Sequence, residues 1–189
     1  ENDIICWHYD HSQHRAVKGI NFVTCLYHCQ GVSLPVGFEI VRKTERYIDP
    51  KSGKEKRRSN RTKNEMYRDL MAQAVKNQIP FKYALNDIWF ASAENMNFVK
   101  ITLEKEFVMP LKGNRKVATS AEAKQNGRYQ SVDTLELEPL HPVIVYLEGV
   151  EFPLLLVKQV FINEDDSTGI LYLVTSDTTL DGNEITTIY

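Results

Sequence analysis

The pattern of apolar and polar positions predicts a β-rich beginning to the chain. Residues 4–9, 18–28 and 32–41 are short stretches dominated by β-branched, aromatic and other apolar side chains, as expected of strands. The second and third stretches are joined by Cys29-Gln30-Gly31, and a short glycine-containing link between two strands indicates a β-hairpin. Pro35 has no backbone N–H, so the third strand should lie at an edge or carry a bulge.

Two amphipathic helices are predicted in the middle of the chain. Thr62 and Glu65 have the spacing of a capping box, and the helix that they begin should end before Pro80. A short apolar strand at 81–85 follows it. A second helix at 91–103 places its apolar side chains on one face, with the spacing of a helix that covers a sheet.

The remainder of the chain is predicted to be mostly β. The expected elements are a strand at 107–111, a basic turn at 112–116, strands at 143–147, 152–161 and 168–176, and a helix at 181–189. Strands that alternate with helices indicate an α/β fold, a mixed sheet with helices on its faces. We therefore divide the chain into a partial core at 1–116, a β-rich insertion subdomain at 117–167, and a return to the core at 168–189.

Charge is distributed unevenly along the 189 residues. Residues 1–116 contain 20 lysines and arginines against 13 acids, whereas residues 117–189 contain 3 against 12, for a net charge of −2. Ten of the basic residues fall in the segment 42–63, which we predict to be an exposed basic loop. The imbalance indicates either a polyanionic partner for the first part or a solvated basic loop beside an acidic subdomain.

Several classes of protein are disfavoured by what the sequence lacks. The three cysteines, Cys6, Cys25 and Cys29, have no metal-site spacing and suggest a reduced cytosolic protein. Apolar runs are too short to span a membrane, and no signal peptide is visible. The phosphate-binding loop of NTPases, the G-x-S-x-G elbow of serine hydrolases and paired CxxC motifs are all missing.

Histidines spaced by three residues raise the possibility of a zinc site. His8, His11 and His14 would share a face only on a helix, but they fall in a predicted strand end and polar turn. We therefore interpret them as surface or hydrogen-bonding residues. Asp10 lies in the same turn and could be a ligand, although nothing in the sequence specifies that role.

Asp87 is the strongest catalytic candidate. It directly follows an apolar strand and precedes a helical segment, and the crevice at the carboxyl ends of strands is where α/β proteins place their ligands. The structural alternative is an aspartate that caps a helix or stabilises a turn. The single carboxylate leaves both interpretations open.

The chain resembles bacterial insertion-sequence transposases with a DDE active site, in the subgroup marked by a Y-R-E-K signature. The resemblance is collinear over essentially the whole chain. It is carried by the segments CWHYDHSQHRAVKGINFV, PVGFEIVRKTE, TKNEMYRDLMAQAVKNQIPFKYALNDIWFASAENM, PLKGNRKVA, LVKQVF and STGILYLVTSD. An accidental likeness to an unrelated α/β binding domain is the weakest alternative.

The resemblance implies an RNase H-like mixed sheet flanked by helices, with a β-rich insertion after the second catalytic aspartate. It implies Mg²⁺-dependent DNA cleavage and strand transfer, as in cut-and-paste transposition, with two Mg²⁺ ions that Mn²⁺ can replace. Further implications are double-stranded DNA as partner, a homodimer on paired transposon ends, and a bacterial cytoplasmic, nucleoid-associated location.

Two residues carry over from the family pattern. Asp87, in ALND, matches the second acid and thus a metal ligand, and Tyr189 matches the first residue of the Y-R-E-K signature helix. The first acid of the family precedes the segment matching CWHYDHS, and the signature Glu follows Tyr189. We therefore expect an internal fragment that is inactive alone. The alternative is a non-catalytic DNA-binding remnant or dominant-negative module.

Basic residues are the expected DNA contacts. Contacts of this kind neutralise phosphates and position a duplex without identifying its sequence. The candidates are Lys112, Arg115 and Lys116 in the turn after the strand at 107–111, and Arg57, Arg58 and Arg61 in the basic segment.

Overall fold

The computed structural model describes residues 2–10 and 12–189 of the chain. The chain forms two compact units, Glu1–Ile79 and Pro80–Tyr189. In the described residues, no helix is both long enough and apolar enough to cross a membrane.

The first unit consists of three antiparallel hairpins and one helix. In chain order its elements are β1 (Cys6–Asp10), β2 (Arg15–Gly19), β3 (Phe22–Cys29), β4 (Val32–Ile40), β5 (Glu45–Ile48), β6 (Glu55–Arg58) and α1 (Lys63–Lys76). The single strand predicted at 18–28 is wrong, because Gly19 ends β2, which pairs with β1, whereas β3 pairs with β4. Between them the carbonyl of Asn21 accepts a hydrogen bond from the N–H of Val41.

The predicted hairpin between β3 and β4 is confirmed. Gln30 and Gly31 both have positive φ, +49° and +77°, the combination that turns two strands with their natural twist. The pairing register shifts between Cys25 and Leu26, and Pro35 lies opposite Leu26. Pro35 was expected either on an edge strand or at a bulge. Both occur, because β4 belongs to a two-stranded sheet and the register shift lies opposite Pro35.

The predicted loop at 42–63 is largely exposed, as expected, but it contains the hairpin of β5 and β6. Two ion pairs connect these strands: Arg58 Nε lies 2.9 Å from a carboxylate oxygen of Glu45, and Arg46 Nη1 lies 3.3 Å from a carboxylate oxygen of Glu55. Arg46 itself lies opposite Arg57 in the pairing register. In the turn, hydrogen bonds from Lys56 and Ser52 lower the pKa of Asp49 to about 2. The two ion pairs offset the like charges of Arg46 and Arg57, so this highly charged sequence can still form a hairpin.

Helix α1 confirms the predicted capping box. The hydroxyl of Thr62 accepts the N–H of Glu65, and the carboxylate of Glu65 accepts the N–H of Thr62. The buried face of the helix packs against β3 and β4. Gly37 of β4 permits this approach, since a Cβ there would lie 3.1 Å from the side chain of Leu70.

The second unit is built on a seven-stranded mixed sheet with short helices, so the predicted α/β class is confirmed. Its strand order is β10-β9-β11-β12-β13-β8-β7, and only β7 and β8 are parallel. The elements are β7 (Tyr83–Leu85), α2 (Ala93–Asn97), β8 (Glu106–Leu111), β9 (Lys116–Ala118), α3 (Ala121–Gln125), β10 (Gln130–Ser131), β11 (Val143–Leu147), β12 (Leu154–Ile162), β13 (Thr168–Thr175) and α4 (Gly182–Ile188).

Three further helical turns complete this unit. They are 3₁₀ turns at Ile88–Phe90 and Val132–Thr134 and a π-helical turn at Phe98–Thr102, which continues α2. The helix predicted at 91–103 is therefore confirmed, with a wider last turn. Helix α3 was not predicted, although Ser120 caps its start.

The core of the second unit lies around β8. Every residue of β8 after Glu106 is buried, as expected of a strand covered on both faces. On one face Val108 packs in a cluster with Ile185 of α4 and with buried residues of β12 and β13. This cluster fixes α4 on the sheet.

The predicted subdomain boundaries at 116 and 167 stay a prediction. Strands β9 to β12 come from residues 116–162, and they belong to the same sheet as β8 and β13. The boundary between the two compact units lies at Ile79 and Pro80 instead.

The buried carboxylate of Asp177 lies at the end of the sheet where β7 begins. Asp177 accepts hydrogen bonds from the hydroxyls of Thr179 at 2.6 Å and Tyr83 at 2.8 Å, and Lys82 Nζ lies 3.1 Å away. The bond from Thr179 makes the largest contribution to lowering the pKa of Asp177, against the opposing effect of burial. Asp177 thereby links β7 to the segment that leads into α4.

We predict that Asp177→Asn lowers the free energy of unfolding at pH 7 by about 1–3 kcal/mol, because charged hydrogen bonds are lost. The folded pKa is depressed, so the stabilisation by Asp177 is present above its ordinary pKa of 3.8 and is lost as pH falls below it. Urea unfolding from pH 7 to pH 3 should show the two proteins converging. Asp166→Asn, which alters an exposed turn, is the control; a constant difference across this range would contradict the prediction.

Gly182 begins α4 against the backbone of Leu140. A Cβ at Gly182 would lie 1.9 Å from the carbonyl oxygen of Leu140. Alanine normally stabilises a helix relative to glycine, whereas the close contact with Leu140 would destabilise this one. The two effects on the free energy of unfolding therefore oppose each other. We predict that Gly182→Ala lowers the free energy of unfolding by about 1–3 kcal/mol.

The control for this variant is Gly19→Ala, because a Cβ at Gly19 would meet no atom within 4 Å. Thermal unfolding should show a clear loss of stability for Gly182→Ala and a small change for Gly19→Ala. A stabilised Gly182→Ala protein would show that α4 does not lie against Leu140.

Candidate active site

Strand β7 positions Asp87 at the edge of the sheet. Tyr83, Ala84 and Leu85 pair in parallel with Glu106, Phe107 and Val108, and Ala84 is buried. The chain leaves the sheet at Asn86, so Asp87 lies at the carboxyl end of a parallel strand, as the sequence predicts. This is the end of a sheet where ligand sites form.

Asp87 also caps the 3₁₀ turn at Ile88–Phe90. Its Oδ1 accepts a hydrogen bond from the N–H of Trp89 at 3.2 Å, and its backbone is extended, as in other N-caps. The structural alternative raised from the sequence, an aspartate that caps a helical turn, is therefore observed. The cap engages one carboxylate oxygen, and the Asp87 side chain remains exposed, so the cap leaves room for a ligand.

Tyr189, at the end of α4, lies beside Asp87. Its hydroxyl donates a hydrogen bond to the carbonyl oxygen of Asn86 at 3.3 Å, across 103 positions of sequence. Burial raises the pKa of Tyr189, and the negative charge of Asp87 raises it further. The structure thus brings together the two residues that the sequence resemblance selected.

Asn86 contributes an unusual feature to the same place. Both the nitrogen and the oxygen of its side-chain amide are buried and have no hydrogen-bond partner among the described residues. Buried polar atoms are rarely left in this state. Asn86 is therefore a functional candidate that the sequence analysis missed, since strand patterns do not distinguish satisfied from unsatisfied amides.

The turn at 112–116 places basic groups beside the 3₁₀ turn that Asp87 caps. Lys112 Nζ lies 4.6 Å from the ring centroid of Trp89, which is 57% exposed. Arg115 donates from Nη1 to the carbonyl of Ala91 at 3.0 Å, and burial lowers its pKa. Between them is an open cavity of about 340 Å³, the Trp89 pocket, lined by Ile88, Trp89, Ala91, Ser92, Pro110, Leu111, Lys112, Asn114 and Arg115.

The other predicted DNA contacts have different surroundings. Lys116 is exposed and its Nζ lies 2.9 Å from the hydroxyl of Ser131. In the first unit, Arg58 pairs with Glu45, and Arg61 pairs with both Glu39 and Asp69. Arg57 is half-buried. Their predicted roles in DNA binding stay predictions.

The histidines that the structure describes are surface or hydrogen-bonding residues, as the sequence predicts. His8 lies in β1, 3.4 Å from the amide of Asn21, and burial lowers its pKa. His14 is exposed in the turn, whereas His11 lies outside the described residues. Asp10 accepts hydrogen bonds from Ser12 and Gln13, which lower its pKa, so it stabilises that turn.

The sequence also fits a known family over most of its length. Residues 2–132 match the family model described as DDE superfamily endonuclease, a range that includes Asp87 and the basic turn. The chain belongs to this family. No match was found among curated proteins or among solved structures.

Membership in the DDE superfamily endonucleases identifies a nuclease-type family that acts on DNA and generally uses divalent metal ions. Asp87 fits one ligand of such an ion, because its exposed carboxylate supplies the hard oxygen donors that Mg²⁺ prefers. In the residues that the structure describes, no group of three or more potential metal ligands is present. Asp87 thus fits one part of a site and does not complete it.

The burial of Arg115 predicts that this DDE endonuclease uses it to hold the turn in place. Arg115→Ala should lower the free energy of unfolding by about 1–3 kcal/mol, because the carbonyl of Ala91 loses a buried partner. Lys116→Ala, at an exposed neighbour, should change it by no more than about 0.5 kcal/mol. Equal effects of the two variants in urea unfolding would show that Arg115 is not a structural residue.

Proposed function

We propose that the chain is the middle part of an insertion-sequence transposase of the Y-R-E-K subgroup, with an RNase H-like fold. In this proposal Asp87 is the second of three acids that hold two Mg²⁺ ions, which Mn²⁺ can replace. The other two acids come from outside residues 1–189. The reaction is DNA strand cleavage followed by strand transfer, as in cut-and-paste transposition.

The observation that carries the proposal is the contact of Tyr189 with Asn86. It directs the end of α4 toward the carboxyl end of β7, where Asp87 is exposed. In the subgroup that the sequence resembles, the catalytic glutamate follows the matching tyrosine on the same helix. A glutamate farther along this helix would therefore lie at the same end of the sheet as Asp87.

The pairing of β7 with β8 gives Asp87 a rigid position. A metal ligand must be held by elements that do not move during the reaction, and Asp87 is fixed on one side by the strand and on the other by its hydrogen bond to Trp89. The metal ions, when bound, activate the attacking oxygen and stabilise the leaving oxygen at phosphorus. Asp87 would hold them through its carboxylate oxygens and offset part of their charge.

The basic turn supplies phosphate contacts beside Asp87. Lys112 and Lys116 are exposed at the two ends of this turn, whereas Arg115 is half-buried and holds the turn to Ala91. Arg57, Arg58 and Arg61 would add contacts from the first unit. Such contacts position double-stranded DNA without determining its sequence.

Three broader features belong to the same proposal. The parent protein acts as a homodimer on paired transposon ends, in the nucleoid of a bacterial cell. Residues 117–167 form its insertion subdomain, residues 1–116 a partial core, and residues 168–189 the return to that core. These features rest on the resemblance of the sequence to insertion-sequence transposases.

The decisive test is a strand-cleavage assay on a protein that contains this chain together with the residues encoded on either side of it in its gene. We predict that Asp87→Ala abolishes Mg²⁺-dependent cleavage, because a metal ligand is lost, while DNA binding remains. Asp87→Cys should be inactive with Mg²⁺ and partly active with Mn²⁺, which accepts a thiolate more readily.

Glu151→Gln is the matched control, since Glu151 is an exposed acid of the same unit. It should cleave like the unaltered protein. Undiminished cleavage by Asp87→Ala would refute the assignment of Asp87. Salt-dependent DNA binding without cleavage in either metal would instead support the alternative, a non-catalytic DNA-binding module.

A further inference from the structure

The hairpin of β12 and β13 extends beyond the rest of its sheet. Strand β11 pairs with β12 no farther than Leu156, and β8 pairs with β13 only from Tyr172 onward. Closer to the turn, residues 160–162 pair with residues 168–170. In the described part of the chain, no other strand pairs with these six residues. The end of the hairpin, residues 160–170, is therefore a two-stranded ribbon, which we call the apolar ribbon.

Large apolar side chains of this ribbon are exposed to solvent. Ile162, the last residue of β12, is 74% exposed, the highest value for a large apolar side chain among the described residues. Free sheet edges normally carry charged residues, which prevent association with other chains. Here the charges are confined to the turn, in Glu164, Asp165 and Asp166. An exposed apolar patch bordered by polar residues indicates an interaction surface.

The β5–β6 hairpin combines the same features with the opposite charge. Ile48, the last residue of β5, is 66% exposed, the second highest value among the described residues. The turn that follows contains Lys51 and Lys54, both exposed. Arg57 and Arg58, the predicted DNA contacts, lie at the opposite end of β6. The basic turn is therefore a separate surface from those contacts.

Charge decides which partner fits the apolar ribbon. The acidic turn repels DNA phosphates and anionic lipid headgroups alike. A fitting partner presents an apolar side chain next to free cations, which is what the turn after β5 offers. Residues 1–116 carry a net charge of +7 and residues 117–189 a net charge of −9, so two copies attract each other through unlike parts.

We propose that the apolar ribbon docks on the β5–β6 hairpin of a second copy of this chain. Ile162 packs on the second copy's Ile48, and the acidic turn faces the second copy's Lys51 and Lys54. Around a two-fold axis the contact forms twice, which closes a dimer. The inference rests on the proposed function for the homodimer and adds the surface that forms it.

The first test measures the molar mass of the full chain by sedimentation over a range of concentrations, without DNA or metal. We expect a dimer that salt weakens, since unlike charges contribute to it. Ile162→Thr keeps a β-branched side chain and should weaken dimerisation by about 10- to 100-fold, because apolar burial is lost at both contacts. Ile144→Thr, at an exposed isoleucine of β11, is the matched control and should dimerise like the unaltered protein.

The second test reverses the charge of each turn. Glu164→Lys/Asp166→Lys and Lys51→Glu/Lys54→Glu should each give monomers, because turns of like charge then face each other. An equimolar mixture of the two variants should form a dimer again, since every contact in the mixed dimer joins turns of opposite charge. Mixing restores only a contact between two chains, and the restored dimer shows that both variants are folded.

A monomer at the highest soluble concentration would overturn the inference. So would a dimer that persists unchanged in Ile162→Thr and in both charge-reversal variants, because it would form through a different surface. If the charge-reversal variants do not fold, Ile162→Thr and Ile144→Thr give the answer alone, at positions exposed to solvent. The measurement involves no cleavage, so its failure is distinct from failure of the Asp87 assay.

Discussion

The parallel pairing of β7 with β8 is the constraint on which the rest of the second unit depends. A strand of three residues has little stability of its own, but β8 is buried on both faces and provides a fixed template for it. Because the two strands run in the same direction, the chain leaves β7 at the carboxyl end of the sheet. That direction, together with the docking of α4, places Asp87, Tyr189 and the basic turn after β8 at the same end of the sheet.

The carboxylates near the two ends of β7 have opposite surroundings. Asp177, near the start of the strand, accepts hydrogen bonds from Thr179 and Tyr83 and lies beside Lys82, so its charge is fully engaged in holding the fold together. Asp87, after the strand, accepts one backbone N–H and stays exposed. An acid that stays exposed at the end of a sheet where ligands bind is a stronger functional candidate than a buried one that neighbouring groups neutralise.

Much of this arrangement could be predicted from the sequence, and the exceptions have physical causes. The capping box of Thr62 and Glu65 located the start of α1, because caps depend on local hydrogen bonds. The break between β2 and β3 at Asn21 could not be predicted, because it depends on which strand β2 and β3 each pair with. The β5–β6 hairpin was hidden because charged residues favour strands only when complementary charges face them. The amide of Asn86 was missed for a similar reason, as its burial depends on tertiary packing.

The basic turn shows why charge in a sequence is an incomplete guide to a binding site. Lys112 and Arg115 are three residues apart and count equally in any charge total, but Arg115 gives its hydrogen bond to the protein while Lys112 covers an aromatic ring. A cation that already serves the fold can contact DNA only by giving up a buried partner. A cation over an exposed ring gives up only a weaker cation–π contact. The two residues therefore have different roles: Arg115 holds the turn in place, and Lys112 is the residue of the pair that can contact a phosphate at lower cost.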